Sequence, residues 1–232
     1  MEFLWEGLWV AGRLILRADP EVVSTAATSL YVAAWSTVGA ALFGLPVGYL
    51  LAVREFRGRE TAVTVVNALL GLPTVVVGLV AYAFLSRRGL LGGLGLLFTP
   101  AGVILGLVVL ATPIVAAFVL VALKGMDPRV RLTAFTLGAG PVRTAWTLLA
   151  EARYGVIAAI VAAFGRVVAE VGIAMMLGGN IRGYTRTLST AIALETAKGE
   201  FGFGIALGVI LMTLVTGLNA VLRLLQTKVS KG

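Results

Sequence analysis

Between Val22 and Val53 the chain runs for 32 residues without a charged side chain, and a segment of that kind has few places to go. A helix crosses the roughly 30 Å hydrocarbon layer of a bilayer with about 20 apolar residues, so this one is overlong and must tilt, bend or project. Pro46, in the stretch Gly44-Leu45-Pro46-Val47-Gly48, is a natural place for the bend. Four further apolar runs follow, at about Val63–Ser86 around Pro73, Ala101–Leu123 around Pro113, Tyr154–Gly178, and Phe201–Leu225. With 59% hydrophobic and 13% charged residues and a mean hydropathy of +1.00, such a chain cannot cover itself with polar surface in water. The expected class is an all-α integral membrane protein with five core spans, residues 1–232 forming a single transmembrane domain.

The opening stretch from Phe3 to Leu16 is apolar but short, and Glu2, Glu6, Arg13 and Arg17 recur along one stripe. Residues 1–17 therefore read as an amphipathic helix lying in the membrane interface, anchored by Trp5 and Trp9, with a sixth span as the alternative. Its acidic start is wrong for a signal peptide.

The formal charge of +8 would suggest nucleic acid in a soluble protein, but here it first has to be sorted by side of the membrane. A cytoplasmic C-terminus places Arg54, Arg57, Arg59, Lys124, Arg129, Arg131, Arg143, Arg153, Arg223, Lys228 and Lys231 on the cytoplasmic side, 11 of the 19 basic residues. Outside lie Arg13, Arg17, Arg87, Arg88, Arg182, Arg186 and Lys198, and the acidic residues leave +7 inside and +1 outside. The excess is an orientation signal, and no nucleic-acid partner is expected. With no Cys and no His, disulfides, zinc–thiolate sites, iron–sulfur clusters and the commonest acid/base side chain are excluded. No Gly-x-x-x-x-Gly-Lys-Ser/Thr loop is present to hold nucleotide phosphates. The glycines from Gly89 to Gly95 read as a flexible external link.

The longest cytoplasmic connection, residues 124–153, has the composition of a compact structure. Asp127 can cap a helix whose first residue is Pro128, with Leu132, Phe135 and Leu137 on its apolar side. Gly138-Ala139-Gly140-Pro141 breaks it, and Val142 to Ala150 forms a second short helix carrying Trp146, Leu148 and Leu149.

Leu132-Thr133-Ala134-Phe135-Thr136-Leu137-Gly138-Ala139, then Trp146, then Ala152-Arg153-Tyr154-Gly155-Val156, resembles the EAA loop of permease subunits of ABC importers. That loop reads approximately Glu-Ala-Ala-x-x-Leu-Gly-Ala and closes with Leu-Pro-x-Ala-x-Pro-Gly-Ile. Leu132 stands where the Glu is usual, Thr133 where the first Ala is, and Ala150 and Tyr154 where the two Pro are. The missing Glu bears on the fine contact with an ATPase; the other reading of the segment is a plain amphipathic connector. Phe164 to Gly172, Gly178-Gly179-Asn180-Ile181, Thr185-Arg186-Thr187-Leu188 and the string Ala193 to Phe201 are similar to the oxyanion branch of these permeases, most of all to the tungstate-type permease.

The resemblance implies the type I ABC importer transmembrane domain, working in the cell membrane as a homodimer with its path along the two-fold axis. Two cytoplasmic ATPase subunits would carry ATP-Mg, and an external oxyanion-binding protein would deliver tungstate or, next, molybdate. It also implies ATPase coupling through Ala134, Leu137, Gly138, Ala139, Pro141, Arg143, Trp146 and Gly155, with no catalytic residue, metal or cofactor in this chain. A stand-alone anion channel or ion-coupled carrier is the alternative, and a membrane-embedded enzyme the third reading.

Arg166 and Glu170, one helical turn apart, are the ionisable residues well inside a span, where an unpaired charge costs at least a few kcal/mol. They form either part of the translocation path or a structural ion pair. Asn180, Arg182, Thr185 and Arg186, with Thr187 and Ser189, lie in an external stretch rich in hydrogen-bond donors. That stretch either docks a binding protein or guides the anion.

Overall fold

The computed structural model describes residues 2–230, without the side chains of residues 2–4, 6, 218 and 221–230. Glu2 and Glu6 of the N-terminal stripe, and Arg223, Lys228 and Lys231 of the charge sorting, lie outside the side chains so described. Among the described residues there are helices and no strands. They are α1 Glu2–Leu16, α2 Pro20–Val53, α3 Arg59–Leu70, α4 Thr74–Leu85, α5 Pro100–Lys124, α6 Pro128–Thr136, α7 Pro141–Glu151, α8 Arg153–Val168, α9 Gly172–Gly178, α10 Leu188–Ala197 and α11 Phe201–Ser230.

Proline sets many of these boundaries. Pro20, Pro100, Pro128 and Pro141 each open a helix, where the missing N–H costs nothing. Asp19 caps α2, its Oδ1 accepting from Glu21 N at 3.0 Å and Val22 N at 3.2 Å. Pro73 acts in the opposite sense. Its ring excludes Leu72 from helical conformation, and α3 ends at Leu70 while α4 begins at Thr74, so the run expected as one span is a broken pair. The run from Tyr154 is also interrupted, between Val168 and Gly172, and α7 meets α8 at 76°. By contrast α2 stays helical through Pro46. Among the described residues, α2 and α5 are each long and apolar enough to cross a membrane, and there are up to 4 spans if each bent pair counts as one.

Contacts divide the chain into two units, and the divisions fall within α2, α5 and α8 and at the break between α3 and α4. The first unit comprises Met1–Ser36, Pro73–Leu107 and Gly165–Gly232. Its core gathers Val22, Leu188, Ala191, Leu207 and Ile210. The small face of α1, Gly7 and buried Ala11, packs on α11, with no room for a Cβ between Gly7 and Ile205. Gly78 of α4 packs on Ile173 and Met176, and Gly106 on Ile173 and Leu177. The Gly89–Gly95 segment is a built turn instead of a slack link. Leu91 N donates to Phe84 O at 2.9 Å and Gly92 N to Gly89 O at 3.1 Å, and a Cβ on Gly89 or Gly92 would overlap backbone carbonyls.

The second unit comprises Thr37–Leu72 and Val108–Phe164. Here α2 lies close along α5 because Gly39, Gly44 and Gly48 present no side chain to Val108, Val115 and Val119. Gly155 does the same against Ala122. The last carbonyls of α2, which have no helical partner, are met by two arginines: Arg59 Nε donates to Leu51 O at 2.8 Å and Arg131 Nη1 to Val53 O at 3.0 Å.

Candidate functional site

Three groups of residues carry the functional expectations, and the structure treats them differently. The first is the helix pair α6–α7. Asp127 caps α6 through Oδ1, which accepts from Arg129 N at 2.8 Å. The chain reverses at Gly138, where φ is +78°, a conformation that favours glycine. Gly138 N then donates to Phe135 O and Ala139 N to Ala134 O, closing α6, and Pro141 opens α7.

Packing inside the pair uses a different face from the one expected. Ala134, Thr144 and Leu148 are buried, and Thr144 Oγ1 donates to Ala139 O at 3.3 Å. Leu132, Phe135 and Leu137 of the anticipated apolar side point outward instead, together with Val142 and Trp146; Leu137 is 81% and Trp146 71% exposed. The cause is size: helices this short close over an Ala–Thr–Leu contact and leave the bulky apolar residues uncovered. Burying any one of those residues against a partner would contribute roughly 1.5–3 kcal/mol. Between the helices runs an open groove of about 550 Å³ lined by Arg129, Ala134, Leu137, Ala139, Arg143 and Glu151 among others. Gly155 lies apart from this groove, on α8 against Ala122.

The second group is Arg166 and Glu170, in the first unit. Arg166 occupies the last turn of α8, where a cation complements the helix dipole. Its Nη1 donates to Glu170 Oε2 at 2.6 Å. Glu170 stands in the break before α9, its Oε1 accepting from Ile173 N at 3.3 Å and its carbonyl from Ser189 Oγ at 3.0 Å. Its side chain is buried, whereas that of Arg166 is 40% exposed. Beside Glu170, Ser29, Thr187 and Ser189 line a cavity of about 10 Å³, room for one water at most. Leu188 N donates to Ser29 Oγ at 2.7 Å, so a polar seam runs from α2 to α10 through an apolar core.

The third group is the stretch from Asn180. Thr185 is buried and its hydroxyl staples the turn, donating to Gly178 O at 2.6 Å and accepting from Ile181 N at 2.9 Å. Thr187 and Ser189 are buried as well, Thr187 and Thr190 forming a capping box that starts α10. Asn180 takes a left-handed conformation, φ +52°, with Nδ2 3.5 Å from Thr190 O. The basic pair is not open either, because Glu21 of α2 bridges Arg182 and Arg186. Of the expected donors, then, only Arg182 is largely exposed, and it is already paired.

Sequence reasoning missed Glu21 and α10. The spacing Thr187-x-x-Thr190 ahead of an apolar run was the available signal for the helix. Nothing local signals a contact between Glu21 and a loop 161 positions further on.

Residues 44–231 match the family described as the binding-protein-dependent transport system inner membrane component. The chain is 42% identical over 204 residues to a probable anion ABC transporter permease protein of Haloferax volcanii, covering 86% of this chain and 88% of that protein. It is 40% identical over 219 residues to the tungstate uptake system permease protein TupB of Campylobacter jejuni, covering 94% and 92%. Its fold is similar to that in a structure of the MetNI methionine ABC transporter in inward-facing conformations, with a TM-score of 0.70, 22% identity, and 88% and 96% of the two chains covered.

Proposed function

This chain belongs to the family of binding-protein-dependent transport system inner membrane components, with the all-α type I importer transmembrane fold, and from that premise we propose that it is the permease of an ATP-driven importer of a tetrahedral oxyanion. Tungstate is the first candidate and molybdate the second. The observation that carries this reading is the length of the likeness to the C. jejuni tungstate permease, which takes in 94% of this chain. A single shared motif would support the architecture alone; likeness from end to end supports a shared cargo.

On this reading two copies face each other across the path, the C-terminus and α6–α7 lie in the cytoplasm, and two ATPase subunits holding ATP-Mg dock there. Leu137, Val142 and Trp146 supply an uncovered apolar face for that contact. Motion transmitted to α6 reaches α2 through the bond from Arg131 to the Val53 carbonyl. Motion of α8 reaches α5 through the close Gly155–Ala122 contact. Largely rigid helices then alternate between outward and inward openings, with an external binding protein delivering the anion.

The test is uptake of labelled tungstate into proteoliposomes holding the permease, its ATPase and its binding protein. ATP-dependent accumulation, with molybdate competing, is the expected result. Equal uptake by the permease without ATPase would establish the channel or carrier instead.

A further inference from the structure

The ion pair of Arg166 and Glu170 is lopsided. The Glu170 side chain is 3% exposed and the Arg166 side chain 40%. Arg166 is the fourteenth residue of α8, about 20 Å along the helix axis from Arg153, so it sits at hydrocarbon depth. An arginine at such a depth ordinarily stretches its stem toward the headgroups. This one is held back, because Nη1 is bound at 2.6 Å to a carboxylate that is itself fixed by Ile173 N. The exposed part of the Arg166 side chain therefore faces lipid tails, which offer no acceptor for the guanidinium's remaining N–H groups, or a wet, polar space between copies. Ionisable groups within spans face a bundle interior or a water-filled cavity.

We propose that Arg166 of each of two copies projects these N–H groups into the translocation path, where the two guanidiniums form a transient site for a tetrahedral oxyanion. This rests on the oxyanion-permease reading. A guanidinium has five N–H donors in a planar fork suited to oxyanions, and the bond to Glu170 uses one of them. Glu170 has two effects as a positioning residue. It fixes the fork, and its charge offsets that of Arg166, so the site offers directed hydrogen bonds with little net field. A bare arginine in a low dielectric would hold a dianion too tightly to release it; the paired one binds weakly, as a transit site must.

The experiment uses the complete transporter in proteoliposomes. The double variant Arg166→Gln with Glu170→Gln keeps the pair neutral and able to hydrogen-bond, while removing the guanidinium. We expect tungstate uptake at least 10-fold below wild type, with an unchanged amount of folded protein and retained ATP hydrolysis. Wild-type uptake by this variant would overturn the proposal by reducing the pair to a bundle tie.

A second arm exploits a chain without cysteine. Arg166→Cys with Glu170→Gln is treated with a negatively charged, membrane-impermeant thiol reagent, and the label on this chain is read by mass spectrometry. Labelling that millimolar tungstate slows is expected. Absence of labelling, or labelling that tungstate leaves unchanged, would overturn the site. Should the wild type move neither tungstate nor molybdate, the cargo reading falls, whereas labelling would still report whether position 166 faces water.

Discussion

Alanine in place of glycine is the same chemical change everywhere, yet this structure assigns it opposite signs at different helical positions. A Cβ at Gly44 would lie 2.6 Å from Val115 Cβ and 2.9 Å from Thr112 O; at Gly48 it would lie 2.6 Å from Ala116 O and 2.8 Å from Val119 Cβ. Ordinary contact begins at 3.4 Å, and backbone carbonyls and Cβ atoms cannot rotate aside. So α2 and α5 must part by roughly 0.8 Å, enough to forfeit a quarter to a half of the dispersion well at neighbouring contacts. Overpacking of this kind costs about 1–3 kcal/mol, against a helix-propensity gain of about 1 kcal/mol. The two sites are one turn apart and couple, so Gly44→Ala with Gly48→Ala loses about 2 kcal/mol in total. At about 2–4 °C per kcal/mol for a chain of this size, Tm falls by about 4–8 °C. Gly165→Ala in α8 and Gly208→Ala in α11, where a Cβ meets nothing within 4 Å, keep the propensity gain and raise Tm by about 2–4 °C. The assay is thermal unfolding of detergent-solubilised protein followed by size-exclusion fluorescence. A Tm that rises in the Gly44/Gly48 variant as it does in the controls would refute the close approach of α2 to α5.

Glu21→Gln leaves Arg182 and Arg186 without their carboxylate. The Arg182 arm is largely exposed and contributes at most about 1 kcal/mol, whereas Arg186 is 15% and Glu21 34% exposed. The loss should therefore be seen in thermal unfolding at low salt and shrink without vanishing at 1 M salt, where the Debye length is about 3 Å and part-buried pairs are screened less; a loss that vanishes in salt would mean that only the exposed Arg182 arm holds the loop. Trp146→Ser with Leu137→Ser alters two outward-facing residues and should leave Tm within about 1 °C, while recovery of the ATPase with the affinity-purified permease drops at least 10-fold by an estimated loss of about 1.5–3 kcal/mol per side chain. Full recovery of the ATPase would remove the docking role of this face.

Much of the architecture was legible because it rests on local patterns. Lack of charge located the long helices, and Asp127-Pro128 and Gly138 with Pro141 marked the ends of α6 and α7, since a cap, a fixed φ and a left-handed turn are each written in one or two residues. The Arg166–Glu170 pair was legible too, because helical spacing alone brings positions four apart together. What stayed hidden depends on pairs distant in sequence. Pro73 was visible, but the packing of α4, with Ile173 and Met176 facing Gly78, was not. The outward turn of Leu132 and Phe135 followed from the closure of α6 on α7, and the pairing of Arg182 with Glu21 joins positions 161 apart. In each case composition supplied the residue type and tertiary structure supplied its direction.

The positive residues show why that distinction bears on transport. Counted by sequence, they look like a reservoir for attracting anions. In the structure several have other work: Arg59 and Arg131 satisfy the last carbonyls of α2, Arg182 and Arg186 hold Glu21, and Lys198 pairs with Glu195 at 2.9 Å. Glu21 and Glu195 each offset one nearby positive charge and so weaken the surface field that could steer or select a dianion, whereas Arg59 and Arg131 keep their charge but have N–H groups committed to carbonyls. Tight selection by the permease would in any case oppose release, since affinity for the anion inside the path adds to the barrier for leaving it. On the proposed reading an external protein would discriminate among tungstate, molybdate and sulfate, and the permease would offer a path in which the charge of Arg166 is offset by Glu170. On that division, exchanging the binding protein should change which anion is imported, and exchanging Arg166 should change how fast any of them is.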